Sequence, residues 1–288
     1  GSGVVENFQR QTMRQAGGDG MGVLKYITDE EYEKMKDHEL IEEISYNRLL
    51  CDAVENEELL KRHGELYYMD DVGMKLGFCE PEEGHKPEAE NEIIMDTKTI
   101  RMLGIEQKVG EKVTLDLFVH GKSVSRDFVL SGWWEADPVF NVSIMVTSRA
   151  YVDAHIDELY NSYKENYELT GVINSYLMFR NSLNLDKKLE RVIVESGFSM
   201  DENDDNFIGS NVNWSYIAAN FSMDFNTIVG IGAALLLIIL TGYLIIYNIF
   251  QISVVRDIRF YGLLKTIGTT GKQIKKLIRR QALLLACI

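Results

Sequence analysis

The feature that most constrains this chain is a run of 31 residues without a charged side chain, residues 225–255. Its centre, residues 228–250, is mostly apolar and is 23 residues long. A helix needs roughly 20 apolar residues to cross the hydrocarbon core of a bilayer. The run therefore predicts a transmembrane helix over residues 226–255. A buried helix of a soluble protein is the alternative, but such helices seldom run this long without a charge.

The flanks of this run differ in charge. Residues 226–288 carry eight basic side chains and one acidic side chain, Asp257, although the whole chain has 44 acidic and 30 basic residues and a net charge of −14. Lys and Arg are enriched in short cytoplasmic flanks of membrane helices, so we expect the residues after the span to be cytoplasmic. Residues 1–225 are then extracytoplasmic, and their acidity argues against a nucleic-acid partner.

The ends of the sequence are those expected of a fragment of a multi-pass membrane protein. The chain does not begin with Met, and residues 281–288 form a new apolar run after the basic residues 256–280. Eight residues are too few to cross a bilayer, so they predict the start of the next transmembrane helix. A short amphipathic anchor that ends there is the alternative.

The outer part alternates signals for helices and strands. Thr28 is an N-cap residue followed by acidic residues, and residues 112–119 alternate apolar and polar side chains before a turn at residues 120–122. Together these patterns predict a mixed α+β domain over residues 1–225. The predicted helices cover 28–38, 97–103, 148–160 and 185–194, and the predicted strands 44–54, 65–69, 92–96, 112–119, 124–133, 142–146 and 171–180, with a loop over 80–87.

Motifs for catalysis and metal binding are absent from the sequence. The five histidines, His38, His63, His85, His120 and His155, are scattered in polar or turn contexts, which predicts surface histidines and no metal site. Residues 201–205 match the first acceptors of a calcium loop, but Asn206 replaces the required Gly and Val212 the terminal Glu. We therefore expect a solvated loop, no cofactor and no catalytic residues.

Three further patterns bear on function. Residues 268–272 resemble the end of a phosphate-binding loop, but Thr266 and Gln273 stand where Gly and Ser or Thr are needed. Trp133-Trp134 predicts one ring in the core and one at its rim, since neighbouring strand residues face opposite sides. Of the three cysteines, Cys51 and Cys79 lie on the oxidising side, where a disulfide and two free buried thiols both stay open.

The inner segment, residues 251–280, divides into two helical stretches around residues 268–271. Apolar residues recur at helical spacing beside cations on both stretches: Ile258, Tyr261, Leu264 and Ile267 on the first and Ile274, Leu277 and Ile278 on the second. Two alternatives fit this pattern equally. The stretches lie on anionic lipid headgroups, or they dock to a protein partner.

Residues 256–274 read R-D-I-R-F-Y-G-L-L-K-T-I-G-T-T-G-K-Q-I. This stretch resembles the R-E-I-G-L-L-R-A-L-G-A-T-x-x-Q-I stretch that follows the second membrane helix of FtsX-like (MacB-type) ABC transporter permeases. Phe260-Tyr261 stands where many members have one residue fewer or a glycine. Residues 92–99, 103–104 and 109–115 are also similar to that family's outer domain, in which a short strand and helix precede a hairpin.

The resemblance implies a MacB-like periplasmic core, one membrane helix and a cytoplasmic coupling segment at residues 256–280. It also implies a non-catalytic permease subunit that works with a separate cytoplasmic ATP-binding subunit, with membrane lipid around it and a second permease copy beside it. Such a subunit would serve export, peptide resistance or force transmission. The residues that align with the ATPase contact region are Arg256, Arg259, Tyr261, Gly262, Lys265, Gly268 and Gln273.

Two other classes stay open at this stage. A single-span sensor would bind a ligand with residues 1–225 and signal through a domain beyond residue 288. A membrane-tethered hydrolase fits less well, because no cluster of Ser, His and carboxylate stands out in the sequence.

Overall fold

The computed structural model describes residues 18–286, with only the backbone for residues 215–228, 231, 285 and 286. The chain divides into two compact units, Gly1–Phe221 and Ser222–Ile288. The described part of the first unit combines short helices with a large sheet, and the second is helical. The predicted α+β class of the outer part, followed by an apolar helix and a further helix, is confirmed.

Eleven strands of the first unit belong to one sheet. Neighbouring strands are antiparallel except for β4 with β9 and β6 with β8, which are parallel. The order along the sheet is β11-β1-β10-β3-β4-β9-β6-β8-β5, while β2 pairs with β10 and β7 with β3 and β8. The strands are β1 Gly22–Ile27, β2 Ile41–Ile44, β3 Asn47–Val54, β4 Gly64–Met69, β5 Glu83–Gly84, β6 Glu92–Asp96, β7 Lys112–Val119, β8 Lys122–Trp134, β9 Ser143–Thr147, β10 Ile173–Phe179 and β11 Gly209–Val212.

The helices of the first unit are short. They are α1 Asp29–Met35, α2 Asp71–Leu76, α3 Thr97–Met102, α4 Arg149–Ala154, α5 Tyr163–Asn166 and α6 Leu185–Glu195, with 3-10 turns at Glu57–Leu59 and Ile156–Glu158. Two long helices follow, α7 Trp214–Thr266 and α8 Gly271–Ala286.

Capping residues set the starts of the short helices. Thr28 and Glu31 form a capping box at α1, and the side chains of Asp96 and Ser148 accept hydrogen bonds from backbone N–H groups of α3 and α4. The predicted starts of these three helices are confirmed. Two predicted ends are wrong, since α1 stops at Met35 and α4 at Ala154. After α4 the chain turns so that Leu159 enters the core and its carbonyl accepts from Arg48 at 2.6 Å.

The β7–β8 hairpin follows the predicted alternation. Val113, Leu115 and Leu117 of β7 are buried. The turn holds two residues, not the predicted three, because Lys122 already pairs with Val119. His120 and Gly121 have φ of 44° and 75°, and positive φ at both positions is the geometry of the tight turn whose twist matches that of the strands.

Other strand predictions need correction. Residues 44–54 form parts of two strands, β2 and β3, because the chain breaks at Ser45-Tyr46. The loop predicted over residues 80–87 contributes the two-residue strand β5, which pairs with β8. Both differences arise from pairing with strands that are distant in sequence.

The core has three clusters of buried side chains. One lies around β3, β7 and β8 and includes Trp133; a second lies under α6 and includes Leu189; a third includes Trp134 and Cys79. Trp133 and Trp134 are each 8% exposed. The expectation of one core ring and one rim ring is therefore wrong, because the sheet is covered on both faces at this point.

A buried ion pair links four segments of the sheet. The side chains of Arg62 and Asp96 are 1% and 6% exposed, and Arg62 Nη1 and Nη2 lie 2.9 and 2.8 Å from Asp96 Oδ1 and Oδ2. Arg62 also donates to Thr99 Oγ1 at 3.1 Å and to the Phe140 carbonyl at 3.1 Å. Because Asp96 caps α3 as well, the pair fixes this helix against the loops before β4 and β9.

Replacement of Arg62 tests this role. We expect Arg62→Met to lower the free energy of unfolding by about 3–5 kcal/mol, because it leaves the Asp96 carboxylate buried without its counter-charge. Arg101, which is exposed on α3, provides the control. Arg101→Met should change stability by less than about 0.5 kcal/mol. Urea unfolding followed by tryptophan fluorescence measures both; equal stability of the two variants contradicts the role.

Cys51 and Cys79 are free thiols buried in different core clusters. Cys51 Sγ lies 3.2 Å from the Ala53 carbonyl, and Cys79 Sγ lies 3.2 Å from the Gly77 carbonyl. Burial raises the pKa of Cys51 to about 11 and that of Cys79 to about 12. The open question from the sequence is thus decided against a disulfide.

Thiol labelling provides the matching test. In a Cys287→Ser variant, maleimide should modify neither cysteine of the folded chain at pH 7.5, because the reactive thiolate forms only above the raised pKa and the sulfurs are buried. After unfolding in urea without reductant, both thiols should react. If none reacts after unfolding, the cysteines are bonded to each other.

Candidate coupling segment

Helix α7, whose last part is the first half of the inner segment, is continuous from Trp214 to Thr266. At 1.5 Å per residue, its 53 residues span about 80 Å. Within it, Gly232–Thr266 is long and apolar enough to cross a membrane by length and composition, and its most apolar window is not buried in the structure. The helix predicted over residues 226–255 therefore forms as part of a longer one, while its place in a membrane stays a prediction.

The end of α7 is set by Gly268. Its φ is 93°, and its N–H donates to the Lys265 carbonyl at 3.4 Å. The N–H of Thr269 donates to the Leu264 carbonyl at 3.2 Å. These two bonds form the Schellman motif, which satisfies carbonyls at the helix end and favours glycine at the left-handed position.

The next helix starts with a capping interaction. Gln273 Oε1 accepts from the backbone N–H of Thr270 at 3.0 Å and from its hydroxyl at 3.1 Å. A Ser or Thr followed three residues later by Glu or Gln is the sequence signature of such a cap. This signature is visible at Thr270-x-x-Gln273, and it explains locally why α8 begins at Gly271.

The two helices form a hairpin within the second unit. Tyr261 Oη donates to Gln281 Oε1 at 2.7 Å, which joins α7 to the second half of α8. Leu264 and Ile274 are half-buried, whereas Ile267 is 78% exposed. The apolar stripe predicted on the first helical stretch is therefore used only in part, because the chain already reverses direction at Gly268.

The seven residues predicted to contact an ATPase fall into two groups. Tyr261, Gly268 and Gln273 build the hairpin through the contacts above. The other four lie on the last part of α7 and are exposed: Arg256, Arg259, Gly262 and Lys265. Within the described residues, none of the three cations among them has a carboxylate within ion-pair distance. Sequence reasoning missed Gln281, for which no local pattern predicts a partner ten residues into the next helix.

The histidines of the first unit lie beside glutamates. The prediction of surface histidines is wrong for His38 and His120, whose side chains are 9% and 10% exposed. His120 also stacks on Tyr160 with 3.9 Å between ring centroids. Burial, followed by the charge of Arg126, lowers the pKa of His155. The pairs are His38–Glu195, His63–Glu65, His85–Glu92, His120–Glu168 and His155–Glu90.

The first unit contains a cavity of about 420 Å³ beside β1 and β11. Lys25, Asn174, Tyr176 and Trp214 are among its lining residues. The acidic loop after α6 is not assembled as a cation site, since Asp201 Oδ1 accepts from the backbone and side-chain amides of Asn203. Over the described residues 18–286, no group of three His, Cys, Asp or Glu residues is placed to hold a metal ion.

Comparison with protein-family models finds no match, and comparison with curated proteins finds none either. Among solved structures, the periplasmic region of MacB from Actinobacillus actinomycetemcomitans matches with a TM-score of 0.42 at 12% identity, covering 74% of this chain and 95% of that one. The extracellular domain of the noncanonic ABC-type transporter YknZ from Gram-positive bacteria gives 0.39 at 8%, covering 60% and 91%. A domain of a permease protein from Porphyromonas gingivalis gives 0.39 at 11%, covering 65% and 77%.

These three proteins are of the kind that the sequence resemblance names. A TM-score below 0.5 at this identity is too low to assign an activity, a substrate or a partner to this chain. The features of this chain that bear on function are the residues of the coupling segment and the helix that carries them.

The hairpin geometry leads to a test with a matched pair of glycines. A Cβ at Gly268 or at Gly271 would meet no atom within 4 Å, so both positions have room for an alanine side chain. Only Gly268 has a positive φ. Gly268→Ala should destabilise the hairpin by about 1–2 kcal/mol through backbone strain. Gly271→Ala should not, because Ala favours the first turn of α8.

Hydrogen exchange of peptides from α8, measured by mass spectrometry on the chain in detergent, reports the difference. We expect exchange in Gly268→Ala to be faster by a factor of about 5–30, as this free energy implies. Exchange in Gly271→Ala should equal the wild type or be slower. If both variants behave alike, the Schellman motif does not hold the hairpin.

Proposed function

We propose that this chain is part of a permease subunit of an ABC transporter, in which the hairpin of α7 and α8 receives a separate cytoplasmic ATP-binding subunit. The observation that carries the proposal is the hairpin itself. Its first helix, α7, contains the stretch able to cross a membrane by length and composition, and its residues 256–274 are those that resemble the family's coupling stretch.

The charges of the hairpin support a protein partner on its first helix. Arg256, Arg259 and Lys265 are exposed at the end of α7 and are not paired with a carboxylate in the described residues. Asp257 is the only acidic residue after residue 225. Such unpaired cations gain most from a partner surface with acidic groups, which also fixes the orientation of docking. Gly262 leaves room between them for close approach of that surface.

The continuity of α7 supports a mechanical role. A helix has one hydrogen bond per residue along its length, so a displacement imposed at residues 256–266 is transmitted along the helix axis. ATP binding by the partner would shift the hairpin, and α7 would pass this motion to the outer domain. The subunit itself would not be catalytic. Export, peptide resistance and force transmission are all uses of such motion, with a second permease copy as the expected neighbour.

Charge reversal at the end of α7 tests the proposal. In membranes reconstituted with the ATP-binding subunit, Arg259→Glu with Lys265→Glu should lower permease-stimulated ATP turnover about tenfold or more. Loss of two interfacial charge pairs costs roughly 2–5 kcal/mol, and 1.4 kcal/mol corresponds to a factor of ten.

The control makes the same charge change in the outer domain. Lys98→Glu with Lys187→Glu alters two exposed lysines of α3 and α6 and should leave turnover unchanged. Unaltered turnover in the Arg259 and Lys265 variant would refute docking at this site.

A further inference from the structure

Five cations of α8 lie along one side of the helix. Lys272, Lys275, Lys276, Arg279 and Arg280 follow the spacing i, i+3, i+4, i+7 and i+8, which places them in one stripe. All five are exposed, and none has a carboxylate partner within the described residues. Residues 258–288 contain no acidic side chain at all. The stripe is thus uncompensated by its own segment, and it is separate from the cations of α7.

The hairpin contact fixes the level of these cations along α7. The hydrogen bond from Tyr261 to Gln281 places Gln281 beside a residue six positions after Val255, the last residue of the uncharged run. Six residues of helix correspond to about 9 Å. Arg279 and Arg280 are neighbours of Gln281 and share this level, whereas Lys272 lies roughly 14 Å farther along α8.

The distance of about 9 Å from Val255 to the level of Arg279 and Arg280 is close to the depth of the headgroup layer. The hydrocarbon core is about 30 Å thick and the bilayer with its headgroups about 40–45 Å, so each headgroup layer extends about 5–7 Å beyond the core. Arginine and lysine side chains are long enough to bridge the remainder. Arg279 and Arg280, with Lys276 one turn away, can therefore reach the phosphates when Val255 lies at the edge of the hydrocarbon core.

The order of side chains on α8 fits lipid better than a protein surface. After Arg280, Leu283 and Leu284 are 67% and 69% exposed. Cations followed within one turn by exposed leucines match a lipid, whose charged headgroup is followed by acyl chains. The contact region of the proposed ATPase, in contrast, lies on α7 and around the turn.

We propose that Lys276, Arg279 and Arg280 bind the phosphate of anionic phospholipids at the cytoplasmic leaflet. The inference rests on the membrane span of the proposed function but not on its ATPase. Cations near an anionic surface each gain free energy from it, and the gain falls off within a Debye length. Arg279 and Arg280 should therefore contribute more than Lys272.

The experiment compares spin-labelled phosphatidylglycerol with spin-labelled phosphatidylcholine around the full chain in phosphatidylcholine vesicles. Electron paramagnetic resonance gives the immobilised fraction of each lipid and hence a relative association constant. We expect the wild type to prefer phosphatidylglycerol roughly threefold or more, and the preference to fall by at least half in Lys276→Gln/Arg279→Gln/Arg280→Gln, in which Arg256 and Arg259 of α7 are kept. It should also weaken from 0.1 to 1 M NaCl, as the Debye length falls from about 10 to about 3 Å.

The matched control removes three exposed lysines of the outer domain, Lys61→Gln/Lys98→Gln/Lys187→Gln, and should keep the preference. A preference retained by the Lys276, Arg279 and Arg280 variant overturns the inference. So does a wild-type preference abolished by 10 mM inorganic phosphate at constant ionic strength, since the cations then bind free phosphate rather than lipid.

Two further measurements separate this inference from the proposed function. If the chain floats with neutral vesicles but shows no lipid preference, the lipid site is wrong and the span stands. If it does not float with them, the span and the lipid site both fail. Partner-stimulated ATP turnover that falls in the Lys276, Arg279 and Arg280 variant while lipid preference persists overturns the inference in favour of a protein contact.

Discussion

The constraint on which the rest of this structure depends is the uncharged stretch of α7. A surface made of side chains such as Leu236, Ile239 and Phe250, each more than 60% exposed in the structure, is far larger than the apolar patches that soluble monomers tolerate. A continuous helix satisfies every backbone N–H and C=O within the stretch itself, which is the requirement of a hydrocarbon environment. The first unit and the hairpin each contain stabilising contacts of their own.

The first unit is stabilised by long-range polar contacts inside its core. Arg62 is fully buried, yet its Nη atoms are held by Asp96, by the Thr99 hydroxyl and by the Phe140 carbonyl. Such a pair gains little over apolar packing but is costly to break, so it specifies which loops meet. The two buried cysteines, in contrast, contribute apolar packing: both thiols lie in apolar clusters and do not form a crosslink.

The hairpin of α7 and α8 is stabilised mostly by local contacts. Gly268 ends one helix, the Thr270–Gln273 cap starts the next, and Tyr261 joins the two through Gln281. Tyr261, Gly268 and Gln273, three of the seven residues aligned with the family's contact region, therefore have a structural role in forming the hairpin. The cations that remain are divided between two surfaces, with Arg256, Arg259 and Lys265 on α7 and the stripe on α8. The proposed partner protein and the proposed lipid site thus use different helices of one small hairpin.

The sequence by itself determined the features that depend on neighbouring residues. The apolar helix, the β7–β8 hairpin, the helix starts at Thr28, Asp96 and Ser148, and the break around Gly268 all follow from periodicity, capping and turn chemistry. For the coupling segment, the two helical stretches predicted around residues 268–271 are confirmed as well. These signals lie within a few residues of one another, so no knowledge of the tertiary fold is needed to read them.

Only the tertiary structure decided the rest. The parallel pairing of β4 with β9 and of β6 with β8, the burial of Trp134 and the contact between Tyr261 and Gln281 join residues that are distant in sequence. The separation of Cys51 and Cys79 into different core clusters is decided in the same way. Each is selected by the packing and electrostatic free energy of the assembled fold, which no local pattern of side chains encodes.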